Sequence, residues 1–367
     1  MSSVGAALHA PESSISLWGQ PVFRVLRTTI TTNSTVSTVS TVSTAIAALL
    51  ATALLGGLLG SLGPLAPASA AGSGFPTIRV SDPTVRLGTK VVVSGKGPSL
   101  RKLVLQLRTS ENGWQPVAST RTGLGGEYSF VAPGWEGSHL LRVVAPATAV
   151  AVAEVSDPVT VAVRMPYRPK GPRSDWSWLS HRGARWDPCR PITYRINPAG
   201  GYPAARADLR RTFAAVGRVT GFRFTYQGTT GRRVERDDYG YHPAGTDVVV
   251  DWQSPAEERG LGRGIAGIGG HWVMDGRRFD GYMILDRSER HPRAVWRQLM
   301  SHEIGHILGL GHARTAGQLM HGRSTSANRL WGNGDLSALR RVGPSRGCLP
   351  ASSGRTAGAA RTHVGAA

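Results

Sequence analysis

The chain has 367 residues and a formal net charge of +20 at pH 7, a length that suits two domains with buried cores. Its few lysines and many arginines are scattered, without a basic helix or a basic cluster interleaved with aromatic residues. The chain therefore lacks the sequence features of the common classes of nucleic-acid-binding protein, and we expect no nucleic-acid partner.

Residues 1–71 are predicted to be a disordered N-terminus followed by a signal peptide. Residues 45–62 are almost wholly apolar, with Arg24 and Arg27 before them and an Ala-x-Ala sequence ending at Ala70 after them. An apolar run of this length could instead anchor the chain in a bilayer. The glycines in the run and the Ala-x-Ala sequence favour cleavage near Ala70, so we expect a secreted protein, with a membrane-anchored protein as the alternative.

Residues 75–163 are predicted to form an all-β sandwich, because short alternating segments follow one another between Gly, Pro, Asn and Asp turns. The predicted strands are 91–95, 103–107, 128–131, 140–144 and 159–163. This part resembles bacterial immunoglobulin-like or fibronectin-like modules. It carries no titratable cluster, so we expect a spacer, although substrate attachment, surface attachment and assistance in folding stay open.

Residues 164–185 are rich in Pro, Arg and Trp, which is typical of a linker between domains. We expect Trp176 and Trp178 to pack on the domain that follows.

Residues 186–349 are predicted to be a second domain of mixed structure. An apolar stripe at helical spacing predicts a helix over 204–220. The predicted strands are 191–197, 222–226, 247–252, 264–272 and 281–286. A further helix begins near Pro292, and Asp335 is expected to be the N-cap of a C-terminal helix. Residues 350–367 are predicted to be a disordered tail.

Residues 302–312 read HEIGHILGLGH and predict a zinc site. His302 and His306 are one helical turn apart, so their rings share one face and can bind one ion. Glu303 lies beside the first ligand and can take a proton from a zinc-bound water. Gly309 can end the helix in a left-handed conformation and bring His312 in as third ligand. Three protein ligands leave a fourth position open, as in catalytic zinc sites.

This stretch resembles the HExxHxxGxxH signature of the metzincin zinc metallopeptidases, and Met320 stands where that clan has its Met-turn. The resemblance is strongest to the matrixins, over roughly residues 186–349. It implies an α+β fold with a metzincin (zincin-like) catalytic domain, in which a twisted mixed sheet accompanies the active-site helix. It also implies that Met320 supports the site without binding the metal.

The resemblance implies that an edge strand above the cleft binds extended substrate through its main chain, which assigns that role to Gly264, Ile265, Ala266 and Gly267. It is incomplete, because His321 and Gly322 replace the Tyr-Pro that commonly follows the matrixin methionine. The family's calcium loops and structural-zinc loop are not recognisable either. Ca²⁺ or a second Zn²⁺, the latter at His242 and His271, is therefore possible but unsupported.

Cys189 and Cys348 are the two cysteines, and they flank the second domain. In an exported protein, this placement suggests a disulfide that joins the ends of the domain. Free thiols, or a thiolate that caps the zinc, are the alternatives. The residues around Cys189 do not match the matrixin latency motif, so we favour the disulfide.

We therefore expect a secreted zinc-dependent endopeptidase that hydrolyses peptide bonds through a zinc-bound water activated by Glu303. Its partners would be protein or peptide substrates, with no stable membrane insertion after signal cleavage, and we expect a monomer. The alternative is an exported adhesion or cell-wall-binding protein that uses the β-sandwich and carries a degenerate metal domain.

Overall fold

The fold class is α+β, as the sequence predicts. The computed structural model describes residues 76–236 and 240–350, all of which belong to one compact unit of the chain. The predicted signal peptide and all but the first residue of the predicted tail lie outside these residues. None of the helices in the described ranges combines the length and the apolar character needed to cross a membrane.

The N-terminal part consists of strands alone. They are β1 (Arg79–Val80), β2 (Thr84–Arg86), β3 (Val92–Lys96), β4 (Lys102–Thr109), β5 (Gly113–Arg121), β6 (Glu127–Val131), β7 (Gly137–Ala145), β8 (Glu154–Val155) and β9 (Val159–Arg164). One sheet has the order β1-β3-β6, and the other has the order β2-β9-β7-β4-β5 with β8 beside β7. Every strand predicted from the sequence lies within this set.

Both sheets contribute to one apolar core, because alternate side chains of each strand point inwards. Val93 and Phe130 come from the three-stranded sheet, and Leu105, Leu141 and Val161 come from the other. The sequence analysis missed β5, which contains Pro116. This strand lies at the edge of its sheet, and its register with β4 shifts near Pro116, which is where a strand tolerates proline.

The second part contains three helices and a five-stranded sheet. Its elements are β10 (Ser177–Trp178), β11 (Ile192–Ile196), α1 (Ala205–Thr220), β12 (Phe224–Thr229), β13 (Val248–Gln253), β14 (Gly267–Met274), β15 (Arg277–Asp286), α2 (Arg293–Leu308), β16 (Leu310–Gly311) and α3 (Asn333–Val342), with single 3-10 turns at Ser326–Asn328 and Pro344–Arg346. The sheet order is β12-β11-β13-β15-β14. All its pairings are parallel except that of β14 with β15, so β14 is an antiparallel edge strand.

A large core fixes the position of α2 against the sheet. Phe213 of α1, Val250 of β13, Met283 of β15 and Met300 and Ile304 of α2 are fully or almost fully buried in it. The helix is buried on nearly all sides from Gln298 onwards, unlike a surface helix with one apolar stripe.

Two sequence predictions need correction. The predicted linker, 164–185, contains strand β10, which pairs with β16 of the second part, and Trp176 and Trp178 pack on its core as expected. The helix α3 begins at Asn333 after Gly332, so Asp335 lies in the first turn rather than at the N-cap. From the first turn, the Asp335 carboxylate still accepts the N–H of the N-cap residue, Gly332. A side chain at the N-cap position could not accept the N–H of its own residue in this way.

The disulfide between Cys189 and Cys348 is present, as the sequence predicts. It joins residues 159 positions apart and connects the start of β11 to the segment that follows α3. No thiol is therefore left to cap a metal ion, because both sulfur atoms are used in the bond.

Candidate metal centre

Three histidine rings meet beside the C-terminal half of α2. His302 and His306 lie one turn apart on the helix, and Gly309 ends the helix with a φ of 102°. Residues with a Cβ avoid this φ, so glycine is favoured at the position. The left-handed conformation turns the chain back towards the helix. His312 then faces the other two rings, with its Nε2 atom 3.2 Å from that of His306. The candidate ligand atoms of all three histidines lie within 4.8 Å of one another.

Backbone carbonyl groups set the orientation of two of these rings. His302 Nδ1 lies 2.8 Å from the Leu319 oxygen, and His306 Nδ1 lies 2.7 Å from the Leu310 oxygen. A carbonyl oxygen only accepts, so each Nδ1 atom carries the proton and donates it. Each Nε2 atom therefore presents a lone pair to the centre of the cluster. Such bonds from the outer nitrogen are the usual way in which proteins fix metal-binding imidazoles.

Burial keeps the three imidazoles neutral. Desolvation lowers the pKa of His302 to about 3, an effect that the neighbouring His312 reinforces. Desolvation also holds the pKa of His306 well below its ordinary value and lowers that of His312. Neutral imidazole is the form that binds metal ions, so the electrostatic environment selects the ligand form of each side chain.

The donor set fits a zinc ion. Imidazole nitrogens bind zinc at about 2.0–2.1 Å, so two of them on a tetrahedral ion lie about 3.4 Å apart, close to the 3.2 Å found between His306 and His312. The His306 Nε2 lone pair is directed at the His312 ring, where a bound cation would accept it together with a lone pair from His312. The described residues offer three protein ligands here, which leaves a position open for water or substrate.

Glu303 is the acid–base candidate, and the structure buries it between α2 and β14. Burial raises its pKa to about 8, although the Gly269 N–H donates to the carboxylate and opposes this shift. The Oε2 atom is buried without a hydrogen-bond partner in the described structure. An unpartnered carboxylate oxygen is costly unless a ligand uses it, and a cation at the three histidines would favour its charged form.

Glycines bring strand β14 against the helix α2. A Cβ at Gly269 would lie 2.4 Å from the backbone oxygen of Glu303, and one at Gly267 would lie 3.0 Å from its Oε1. Because no side chain intervenes, the strand and the carboxylate are in direct contact. The predicted edge position is confirmed for this strand, but it begins at Gly267, and residues 264–266 form the turn that leads into it.

Met320 lies directly beneath the helix, as the sequence analysis expects. Its sulfur occupies the space next to Gly305, where a Cβ would lie 2.4 Å away. Asp335, whose role the sequence analysis did not identify, accepts hydrogen bonds from the backbone N–H groups of Leu319 and Met320. Burial raises the pKa of Asp335 to about 6, against the effect of these bonds. The carboxylate thereby holds the residue whose carbonyl orients His302.

His242 and His271, considered for a second zinc site, have different partners, and His242 Nδ1 lies 3.5 Å from the Asp280 carboxylate. In the part of the chain that the structure describes, neither belongs to a group of three candidate ligands. His271 instead lies 3.0 Å from the His306 oxygen through Nδ1 and accepts the Arg278 Nε–H at 2.8 Å through Nε2. Desolvation and the Arg278 charge hold its pKa well below the ordinary value.

Comparison of the chain with protein families gives no match, and comparison with curated proteins gives no significant match either.

Proposed function

We propose that the protein is a secreted zinc-dependent endopeptidase of the metzincin type, most similar to the matrixins. The observation that carries this proposal is the convergence of three imidazoles on the helix that also carries a buried, half-unpartnered glutamate, next to the last strand of the sheet. Each of these features serves a hydrolase, and together they have no evident use in a protein that is merely packed.

The metal would be held by His302, His306 and His312. When bound, zinc supplies Lewis acidity, which lowers the pKa of a coordinated water and polarises the carbonyl of the scissile bond. The Glu303 carboxylate accepts a proton from the attacking water and gives it to the leaving amine. The burial of this side chain favours uptake of the proton, and the Gly269 N–H keeps the carboxylate in place.

The position of β14 suits an extended peptide as substrate. Among the described strands, β14 pairs with β15 alone, so an extended peptide would add as a further strand on the other side of its first residues. Its first residue, Gly267, contacts the Glu303 side chain, so a peptide bound along the edge would pass the proposed base. We propose main-chain recognition of protein or peptide substrates by this strand.

The N-terminal part belongs to the same proposal at the level of architecture. Two sheets that share one apolar core support the proposal of a β-sandwich of the immunoglobulin-like kind. We propose that it is an accessory domain of the peptidase.

The proposed function is tested by converting Glu303 to Gln in the full chain. We expect peptide hydrolysis to fall by at least about 100-fold, because the proton acceptor is lost, while one zinc ion per chain is retained. Hydrolysis of a peptide library and metal content by atomic emission measure the two effects. Removal of zinc from the unchanged protein by a chelator should abolish hydrolysis, and added zinc should restore it.

Ser301→Ala, one residue before the first ligand, is the matched control, because the Ser301 hydroxyl bonds only within the helix, to the Arg297 oxygen. It should hydrolyse peptides at the original rate. Undiminished hydrolysis by the Glu303 variant would refute the role of Glu303. Stoichiometric zinc with no hydrolysis of any peptide by the unchanged protein would favour the adhesion alternative.

A further inference from the structure

The segment between the two domains lies along the chain that carries the third histidine. We call residues 167–180 the strap. Within it, β10 forms an antiparallel pair with β16, in which Trp178 is opposite Leu310 and Ser177 is opposite Gly311. The Leu179 N–H donates to the Gly309 oxygen at 3.0 Å, so the pairing begins at the residue that ends α2.

The pairing has a direct relation to the ligands. Leu310, opposite Trp178, provides the carbonyl that accepts the His306 Nδ1 proton. The Ser177 hydroxyl donates to the His312 oxygen at 2.9 Å. The strap therefore contacts the backbone of one metal-ligand candidate and the residue that orients another.

Asp175 holds the turn that follows His312. Its two carboxylate oxygens each accept a backbone N–H at 2.9 Å, from Arg314 and from Thr315. The Thr315 hydroxyl donates to the same carboxylate. Desolvation opposes ionisation of Asp175, but these three donors keep its pKa below the ordinary value. Three donors to one carboxylate restrict the turn more than a single donor could.

The strap is also anchored on the far side of the Met-turn. The Asn333 N–H donates to the Lys170 oxygen at 2.8 Å, and the Gln318 side chain donates to the Pro172 oxygen at 3.1 Å. The Tyr167 hydroxyl donates to the Trp331 oxygen at 3.1 Å. The strap therefore contacts residues between Gly309 and Asn333, a range that includes His312 and Met320.

We propose that the strap positions the metal site and that Asp175 and Ser177 are its positioning residues. By holding residues 309–315, they keep His312 directed at the other two histidines and keep the Leu310 carbonyl in line with His306. This inference rests on the proposed function, because the site that the strap holds is the metal site. It places the N-terminal boundary of the metal-binding domain near residue 167 rather than at residue 186.

The proposal is tested by zinc affinity, measured by competition with a chromogenic chelator, and by hydrogen exchange of the metal-free full chain. We expect Asp175→Ala to raise the zinc dissociation constant about tenfold, as loss of supporting contacts commonly does at metal sites. The amide hydrogens of Arg314 and Thr315 should exchange faster, because they lose their acceptor. Ser177→Ala, which removes one hydrogen bond, should weaken zinc binding severalfold.

Ser174→Ala is the matched control for Ser177→Ala, because Ser174 is exposed and its hydroxyl makes no hydrogen bond within the described residues. Unchanged zinc affinity in both strap variants would overturn the proposal, even if exchange became faster. If Asp175→Ala fails to fold, the comparison of Ser177→Ala with Ser174→Ala decides. If the unchanged protein binds no zinc, the proposed function fails. The role of the strap is then tested by hydrogen exchange alone, and unchanged exchange rates of Arg314 and Thr315 in Asp175→Ala would overturn it.

Discussion

At the scale of single residues, two buried carboxylates have different roles because their partners differ. Glu303 leaves one oxygen without a partner beside the histidines, whereas Asp335 uses its carboxylate to accept three backbone N–H groups. An oxygen without a partner is available for chemistry. A carboxylate that is fully engaged fixes the backbone around it.

We expect Asp335→Ala to lower the free energy of unfolding by about 3 kcal/mol, because three buried N–H groups lose their acceptor. Chemical denaturation of the full chain measures this change. Asp157→Ala is the control, since Asp157 is exposed and its carboxylate accepts no hydrogen bond in the described structure. Equal stability of the two variants would show that Asp335 does not hold the backbone at Leu319 and Met320.

At the scale of elements, the contact between β14 and α2 depends on glycine. We expect Gly269→Ala to destabilise the protein by about 1–3 kcal/mol or more, because its methyl group would meet backbone atoms of Glu303 that cannot move aside. Peptide hydrolysis should fall with it, since the strand that bonds the Glu303 carboxylate is displaced. Thermal unfolding and a peptide assay measure the two effects.

Gly231→Ala is the matched control for Gly269→Ala. A Cβ at Gly231 would meet nothing within 4 Å, and its φ is not in the positive range. Its unfolding temperature should remain within a degree or two of the original. If Gly269→Ala were equally harmless, the strand would not be in close contact with the helix.

The contribution of the disulfide to the free energy of unfolding can also be measured. The bond closes a loop of 159 residues, so the chain-entropy description predicts a loss of roughly 5 kcal/mol on removal of both cysteines by Cys189→Ser with Cys348→Ser. Denaturation of this double variant under non-reducing conditions measures the loss. A stability unchanged from that of the parent would contradict a structural role for the bond.

At the scale of the whole molecule, the N-terminal sheets contact the second part through polar groups. Glu136 is almost fully buried and forms a two-contact ion pair with Arg340 of α3, and its N–H donates to the Val219 oxygen. Trp135 packs over Gly221, where a Cβ would lie 2.6 Å from the ring. Glu111 forms a salt bridge with the buried Arg185. These contacts hold the N-terminal sheets against the second part, whereas a spacer on a free linker would make no such contacts.

We expect Glu136→Ala to destabilise the contact between the two parts by about 2 kcal/mol. This is less than the ~3–5 kcal/mol expected when a fully buried pair is broken, because Arg340 is about one third exposed. Scanning calorimetry should then resolve two unfolding transitions where the parent has one. Asp157→Ala, whose side chain is exposed in the same N-terminal part, is the control. A single unshifted transition in the Glu136 variant would contradict the coupling.

The sequence determined those features that depend on local periodicity and on residue chemistry. The shared helix face of His302 and His306 and the turn at Gly309 could be predicted because helix geometry and glycine conformation are local properties. The disulfide could be predicted because the chain has two cysteines. The principal strands and helices could also be predicted, because alternation and helical stripes record which side is buried.

The tertiary structure alone decided what depends on contacts between distant residues. Nothing in the local sequence shows that Asp175 caps a turn 139 residues away, or that Asp335 holds Leu319, because a carboxylate accepts from any N–H group that the fold brings within reach. The segment 164–185 has the composition of a linker, yet it pairs with β16, because unsatisfied backbone groups at the end of α2 were available to it. Long-range hydrogen bonds of this kind are selected by the fold.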